Sequence, residues 1–430
     1  VLIFLNKMID IKNLRDNIDA ISVALLRRGY KLDSEKFKTL DSERKILQVN
    51  VETMQSSKKK LSEEFGKLKA SGSDTASLKE QLDNINIDLK KENDLLNSLL
   101  ESINEYLLDI PNIPDQSTPD GSNEKDNVLI RKVGDIISTN TVDHIDLTNK
   151  IDTNLASKLA GSRFAVLKGS LAKLQRALIS FMLDIAHKNG YEEYYLPYMA
   201  NRDSLIGTGN LPKFEEDLFK TSDNLYLIPT AEVPLTNIYR DVLINEEQLP
   251  IKLTAHTPCF RSEAGSYGKD TKGLIRQHQF EKIELFKISS PETSMLELDG
   301  LLANAEEILQ LLKLPYQVVQ LCAGDIGFSS CKTFDIEVWM PSQNKYREIS
   351  SCSNFSDFQA RRSNIKIKSK EGKYFAHTIN GSGLAVGRTL IAILENNFNG
   401  SEYIKIPNSL AKYYGADKVY LWDTCFINFS

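Results

Sequence analysis

The side chains best equipped for chemistry in this sequence cluster in three stretches. In "FRSEAGSYGKDTKGLIRQHQFEKIELF", residues 260–286, Arg261 and Glu263 sit two apart at the end of one β-like run, and Arg276, Phe280 and Glu284 recur at even spacing in the next. Alternate residues of a strand share a face, so this spacing predicts a hairpin that presents a guanidinium, a carboxylate and an aromatic ring together. Such a face suits a phosphate, a metal ion or amine, and a flat heterocycle such as adenine. A merely solvated hairpin face is the plainer alternative. In "YREISSCSNF", residues 346–355, Glu348 and Ser351 place a carboxylate and hydroxyls where they could hold Mg²⁺ on a nucleotide. In "TINGSGLAVGRTLIAILEN", residues 378–396, a Gly-rich turn leads into an apolar helix interrupted by Arg388. A buried arginine there needs an anionic or π partner, and a structural salt bridge to a core carboxylate is the competing explanation.

The elements that must position these groups follow from periodicity. Leu171, Leu174, Leu178, Phe181 and Ile185 form the apolar stripe of a helix stopped at "KNG" and followed by the short run "YEEYYLP". Strand-like runs such as "NLYLIP", "YQVVQL" and "TFDIEVWM" then dominate to about residue 360, with helices at about 294–313 and 384–396. No GxxxxGK[ST] and no dinucleotide fingerprint occurs, so an antiparallel sheet flanked by helices, an α+β class, fits better than a parallel nucleotide-binding sheet.

The N-terminal quarter has a different character. Leu14, Ile18, Ile21 and Leu25 share one helical face, which ends in "RRG" at Gly29. One heptad seam runs from Leu40 to Leu68 and a second from Leu78 to Tyr106, joined by "ASGSDTAS", the pattern of an antiparallel coiled-coil hairpin over about 36–106. At 1.5 Å per residue each limb reaches roughly 45 to 50 Å, longer than a compact core requires. Residues 36–69 carry nine basic against five acidic groups, and residues 70–105 three against eight. The first limb, with "KKK" at 58–60, could lie along a phosphate backbone, or simply be a solvated face. The Pro-, Asn-, Asp- and Ser-rich stretch 111–127 reads as a linker, giving an N-terminal domain over 1–112 and a second over 113–430.

Composition bounds the rest. The 430 residues are 41% hydrophobic and 26% charged with a formal net charge of -5, enough chain for two or three domains and too acidic for a general nucleic-acid coat. Five cysteines without CxxC spacing favour neither a zinc site nor a disulfide framework and point to a reducing cytoplasm. No apolar run approaches the roughly 20 residues needed to span a bilayer, so no membrane partner is expected. "VLIFLNK" ahead of Met8 is too short for a signal peptide and reads as an extension of the native chain.

Taken in order, with "TGNLPKFEEDLF" and "LIPTAEVPL" ahead and a helical hairpin in front, the three stretches resemble the seryl-tRNA synthetases, class II aminoacyl-tRNA synthetases of the bacterial or organellar type. The likeness runs from Met8 to about Gly415, with "FRSEAG" to "QHQFEKIEL" similar to motif 2 and "GLAVGRTL" to motif 3. It implies ATP-dependent activation of L-serine, with Mg²⁺, and transfer to serine tRNA and possibly selenocysteine tRNA. Arg261 would then bind the α-phosphate and the serine carboxylate, Glu263 the adenine amino group, and Phe280 would stack on the purine, with Arg388 on its other side reaching the γ-phosphate. Glu348 and Ser351 would hold the metal and phosphates, and Ser262, Gln277, Ile349 and Ser350 would complete the ATP site. Thr230, Ala231, Glu232, Glu284, Asn380 and Ser382, with Arg261, would form the serine pocket.

The same resemblance makes the helix from about Leu171 to "YEEYYLP" a homodimer interface and the coiled coil a grip on the tRNA variable arm, with Arg27, Arg28, Lys58, Lys59 and Lys60 as basic candidates. His144 in "DHIDL" is expected to be a hydrogen-bonded structural histidine. "ENNFNGSEYIKIPNSL" is shorter than the family norm and "LWDTCFINFS" matches nothing in it. A relative that charges a carrier protein would lack the arm, and a non-catalytic tRNA-binding or coiled-coil scaffold would have no use for Arg261, Phe280, Glu284, Glu348 and Arg388.

Overall fold

The computed structural model describes residues 11–137, 141–264 and 273–422; the N-terminal "VLIFLNK", Cys425 and the end of the tail lie outside them. The chain divides into two compact units. One takes in Tyr30–Pro111 and the described residues before Arg27; the other takes in Arg27–Gly29 and the described residues from Asn112 onward.

In the first unit the single helix expected over Leu14–Leu25 is two, α1 (Ile11–Asp16) and α2 (Ile18–Leu26). They meet at Asn17, whose side chain donates to Asn13 Oδ1 at 2.7 Å while the main-chain bonds through Asn17 persist. The hairpin is α3 (Ser34–Ala70), capped by the Asp33 carboxylate, and α4 (Ala76–Leu108). α3 begins six residues before its heptad seam and ends two after it, and α4 exceeds its own by two at each end. At the base, Phe37 stacks on Tyr106, whose hydroxyl donates to the Asp33 carbonyl at 2.7 Å.

The second unit is organised by an eight-stranded sheet. Its strands in chain order are β1 (Val128–Val133), β2 (Glu192–Glu193), β3 (Ile251–Phe260), β4 (Gln279–Ser289), β5 (Tyr316–Gln320), β6 (Lys332–Met340), β7 (Lys345–Asn354) and β8 (His377–Ala385). They lie in the order β1-β5-β6-β7-β8-β4-β3-β2, antiparallel throughout except for the β2–β3 edge. Helices α5 (Gly169–Lys188), α6 (Ser294–Leu312) and α7 (Val386–Asn397) contribute to the core on one face. Strand alternation assigns the faces: Ile283 and Leu285 of β4 join that core, whereas Phe280, Lys282 and Glu284 line a cavity on the other side. Among the described residues no helix is long and apolar enough to cross a membrane.

Two stretches differ from the sequence reading. "HTINGSGLA" is not a turn but strand β8, and its glycines let the sheet pack closely. A Cβ at Gly381 would lie 2.6 Å from Leu301 Cδ2 and 2.7 Å from Cys352 Sγ, so Gly381→Ala is expected to cost about 1–3 kcal/mol of stability as overpacking, read from urea unfolding. Residues 112–127 are not a free linker either. The amides of Asn112 and Asp115 donate to the carbonyls of Phe328 and Cys331, and Pro119 accepts from Ala323 N–H, so this turn-rich segment is a strap tied to the second unit. Its composition suits irregular backbone, and neighbouring loop carbonyls supply the partners that water would otherwise provide.

Candidate active site

Arg261 and Glu263 do not share a strand face as their spacing suggests, because β3 stops at Phe260 and Glu263 adopts a left-handed φ of 54°. Arg276 likewise precedes β4. Backbone pairing holds the two ends together instead: Arg261 N–H donates to the His278 carbonyl at 3.0 Å, and His278 Nδ1 donates to the Arg261 carbonyl at 2.9 Å. Glu263 then accepts from Arg276 Nη1 at 2.6 Å, while the Arg261 guanidinium lies 5.3 Å from the Phe280 ring centroid and donates to the Pro229 carbonyl.

These groups open into a cavity of about 460 Å³. Arg261 and Arg388, 127 positions apart in the chain, line this one cavity together with Glu263, Gln277 and Phe280. Arg388 is half-buried in the first turn of α7 rather than sealed in its apolar body. Its Nε donates to the Ile275 carbonyl at 3.1 Å and its Nη1 to the Glu348 carbonyl at 2.6 Å, with the Glu348 carboxylate at 3.7 Å.

Glu348 and Ser351 are three apart, which in a regular strand would put them on opposite faces. A bulge restores them to one. Ser350 pairs with Ile336 and Glu348 with Glu337, so Ile349 is the extra residue, and both Glu348 and Ser351 reach the cavity. Ile349 also borders it, whereas Ser350 turns toward the core and donates to the Ser382 carbonyl. Opposite Ser351 in the register lies Asp335, which the sequence reading passed over. Burial, with Glu348 beside it, pushes Asp335 well above the usual carboxylate range against a hydrogen bond from Ser351. Its Oδ1 has no hydrogen-bond partner among the described residues. The alternation in "TFDIEVWM", with Phe334, Ile336 and Val338 in the core, already signals that Asp335 points the other way.

Deeper in the cavity Thr230, Glu232, Glu284, Asn380 and Ser382 come together. Thr230 Oγ1 donates to Glu284 Oε2 at 2.8 Å, and Glu284 Oε1 is buried with no partner among the described residues. Lys282, also missed, pairs with Glu284 at 2.5 Å and donates to Thr230 Oγ1 at 2.8 Å. Its position midway between Phe280 and Glu284 on the same strand face was the available signal. Burial, and then the neighbouring Glu284, push the Glu232 carboxyl up to about 7, although Gln359 donates to it at 2.6 Å. This corner therefore offers one neutralised carboxylate, one carboxylate near its titration point and several hydroxyl or amide partners.

Three expected residues do not line the cavity. Ala231 is wholly buried in a separate apolar cluster, Ser262 donates to the Glu216 carbonyl, and Ser350 faces the core. Of the basic residues assigned to the arm, Lys58 is half-buried and Lys59 and Lys60 are exposed on α3. Arg27 and Arg28 belong to the second unit. Arg27 pairs with Asp120 and donates to the carbonyls of Asp115 and Thr118, and Arg28 donates to those of Asn112, Ile326 and Gly327. Burial lowers the Arg28 guanidinium to about 10.

Comparison with known proteins matches both units to family models. Residues 8–114 match the seryl-tRNA synthetase N-terminal domain, and residues 213–397 the class II tRNA synthetase core domain (G, H, P, S and T). The chain is 49% identical over 427 residues to a serine--tRNA ligase of Hydrogenovibrio crunogenus, covering 96% of this chain and 100% of the relative. It is 51% identical over 422 residues to that of Cellvibrio japonicus, covering 96% and 99%. The seryl-tRNA synthetase of Pyrococcus horikoshii, solved in complex with ATP, superposes with a TM-score of 0.87 at 35% identity, covering 96% of this chain and 100% of that one.

Proposed function

The chain belongs to the seryl-tRNA synthetases, and from that premise we propose that its cavity joins ATP and L-serine and then passes the serine to serine tRNA. The observation that carries this reading is the convergence of Arg261 and Arg388 with the Thr230–Glu232–Glu284 corner on one cavity. In the first step the serine carboxylate oxygen bonds to the α-phosphorus and pyrophosphate leaves. Arg261, between the two subsites, neutralises charge on the α-phosphate as it builds, while Arg388 meets the terminal phosphate. In the second step a ribose hydroxyl at the tRNA end bonds to the seryl carbonyl carbon, its proton passes to a phosphate oxygen, and AMP leaves. No protein base is required where positioning and charge stabilisation supply the acceleration.

Glu263, Gln277 and Phe280 take the adenine. Glu348, Ser351 and, we add, Asp335 form an oxygen-donor set suited to Mg²⁺; the Asp335 Oδ1, without a partner among the described residues, fits such an ion. When bound, that ion would offset phosphate charge. Serine is chosen over alanine because the buried Glu284 Oε1 expects a hydrogen-bond donor that the serine hydroxyl brings and alanine lacks, and Lys282 keeps Glu284 from standing alone as a charge. Thr230, Asn380 and Ser382 complete the pocket.

We place the homodimer interface on α5 and the tRNA grip on the arm around Lys58, Lys59 and Lys60, and extend the tRNA proposal to selenocysteine tRNA. Arg27 and Arg28 act instead on the second unit's own carbonyls. Four buried free thiols, Cys259, Cys322, Cys331 and Cys352, suit a reducing cytoplasm, where we place the protein.

The test is serine-dependent exchange of labelled pyrophosphate into ATP without tRNA. A second expectation concerns pH. Only the ionised Glu232 attracts the serine ammonium, so serine KM should climb as pH falls below about 7, by up to about tenfold per unit. Glu232→Gln should give a raised KM without that slope; a slope unchanged in the variant would remove Glu232 from the pocket.

A further inference from the structure

His144 is 1% exposed and both its ring nitrogens are engaged. Nε2 receives the Leu274 N–H at 3.3 Å, so it is an acceptor, and the ring proton must sit on Nδ1, which faces Glu395 Oε1 at 2.9 Å. Asp143 Oδ1 lies 3.1 Å from the same Nδ1. Glu395, wholly buried, also accepts the backbone N–H groups of His144 and Ser342. Asp143, His144 and Glu395 come close enough to suggest a metal centre, but with Nε2 taken by a backbone donor and Nδ1 by a carboxylate the imidazole has no lone pair to give.

What the ring touches matters more. Leu274 and Ile275 lead directly into Arg276, Gln277 and Phe280. Helix α7 grips this segment twice: Arg388 takes the Ile275 carbonyl, and Glu395, seven residues and two turns further on, takes the Leu274 N–H through His144. Gly273, at φ 78°, admits the ring: a Cβ there would stand 2.3 Å from His144 Nε2.

We propose that His144 is a positioning residue that anchors Leu274 so that Gln277, and Glu263 through its partner Arg276, stay in place at the nucleotide. This rests on the assignment of ATP to the cavity. If the terminal phosphate takes up Arg388, the His144–Glu395 link is, among the described residues, the polar tie from α7 that stays with this segment, beside the apolar packing they share.

Two substitutions separate the two bonds. In His144→Asn the amide nitrogen overlays Nδ1 and keeps a donor to Glu395 but loses the acceptor for Leu274. In His144→Gln the amide oxygen overlays Nε2 and keeps the acceptor but leaves Glu395 without its donor. In the full-length protein, hydrogen exchange of the Leu274 amide and KM for ATP should each rise about tenfold in His144→Asn, with thermal stability near that of the parent. His144→Gln should keep both readings within about threefold of the parent while melting lower. Exchange and KM that simply follow melting temperature in both variants, or a Leu274 amide unchanged in His144→Asn, would overturn the proposal. Should His144→Asn not fold, a raised KM for ATP in His144→Gln overturns it by itself, and a parental KM there supports it. The amide measurement needs no substrate. Failure of the ATP assignment would instead appear as absent pyrophosphate exchange in the parent.

Discussion

Arg261→Ala is expected to lower serine-dependent pyrophosphate exchange by about three powers of ten or more, because removing a positioned cation from the α-phosphate forfeits preorganised charge stabilisation that mobile solvent does not replace. The loss should fall on kcat/KM for both ATP and serine, since the guanidinium stands between Phe280 and the Thr230–Glu232 corner. Folding should be spared. Among the described residues the side chain's bond within the protein is a single one, to the Pro229 carbonyl, alongside its approach to the Phe280 ring. Exchange within tenfold of the parent, at unchanged melting temperature, would move Arg261 out of the reacting centre.

Replacing residues 36–106 by a short Gly-Ser turn should leave that exchange within about threefold of the parent and reduce serine tRNA charging by two or more powers of ten. The ends of the excision are already adjacent, as the Phe37–Tyr106 stack shows, and the cavity is built wholly from residues of the second unit. An arm that reads RNA by shape and backbone contributes binding energy to the second step and not to the first. Aminoacylation by the shortened protein at the parental rate would deny the arm its role. Lys58, Lys59 and Lys60 changed together to alanine should reproduce part of the defect and weaken its salt dependence.

Periodicity and motif order made much of this legible. The heptad seams located α3 and α4 to within two turns, and strand alternation in "QFEKIEL" put Phe280 and Glu284 on one face. Where the reading failed, the reason was local backbone geometry that spacing does not encode. Arg261 and Glu263 share the cavity through a left-handed residue after the strand end, not through strand alternation. Glu348 and Ser351 share it because of a bulge at Ile349. Arg388 borders the cavity because α7 begins only two residues before it, whereas the Gly-rich approach, taken for a turn, is a strand whose glycines admit Leu301 and Cys352.

Lys282 and Asp335 were visible as alternating positions but carried no motif to single them out. His144 was rightly expected to be a hydrogen-bonded residue, and it is also buried. Its link to Leu274 spans 130 positions and has no signature in one dimension.

The most direct test of the cavity's assignment is pyrophosphate exchange into ATP in the absence of tRNA, run in parallel with serine, alanine and threonine. Exchange should depend on serine, with alanine slower by three to four powers of ten because the buried acceptor at Glu284 then lacks its donor. Exchange that proceeds equally with alanine, or that needs no amino acid at all, would contradict it.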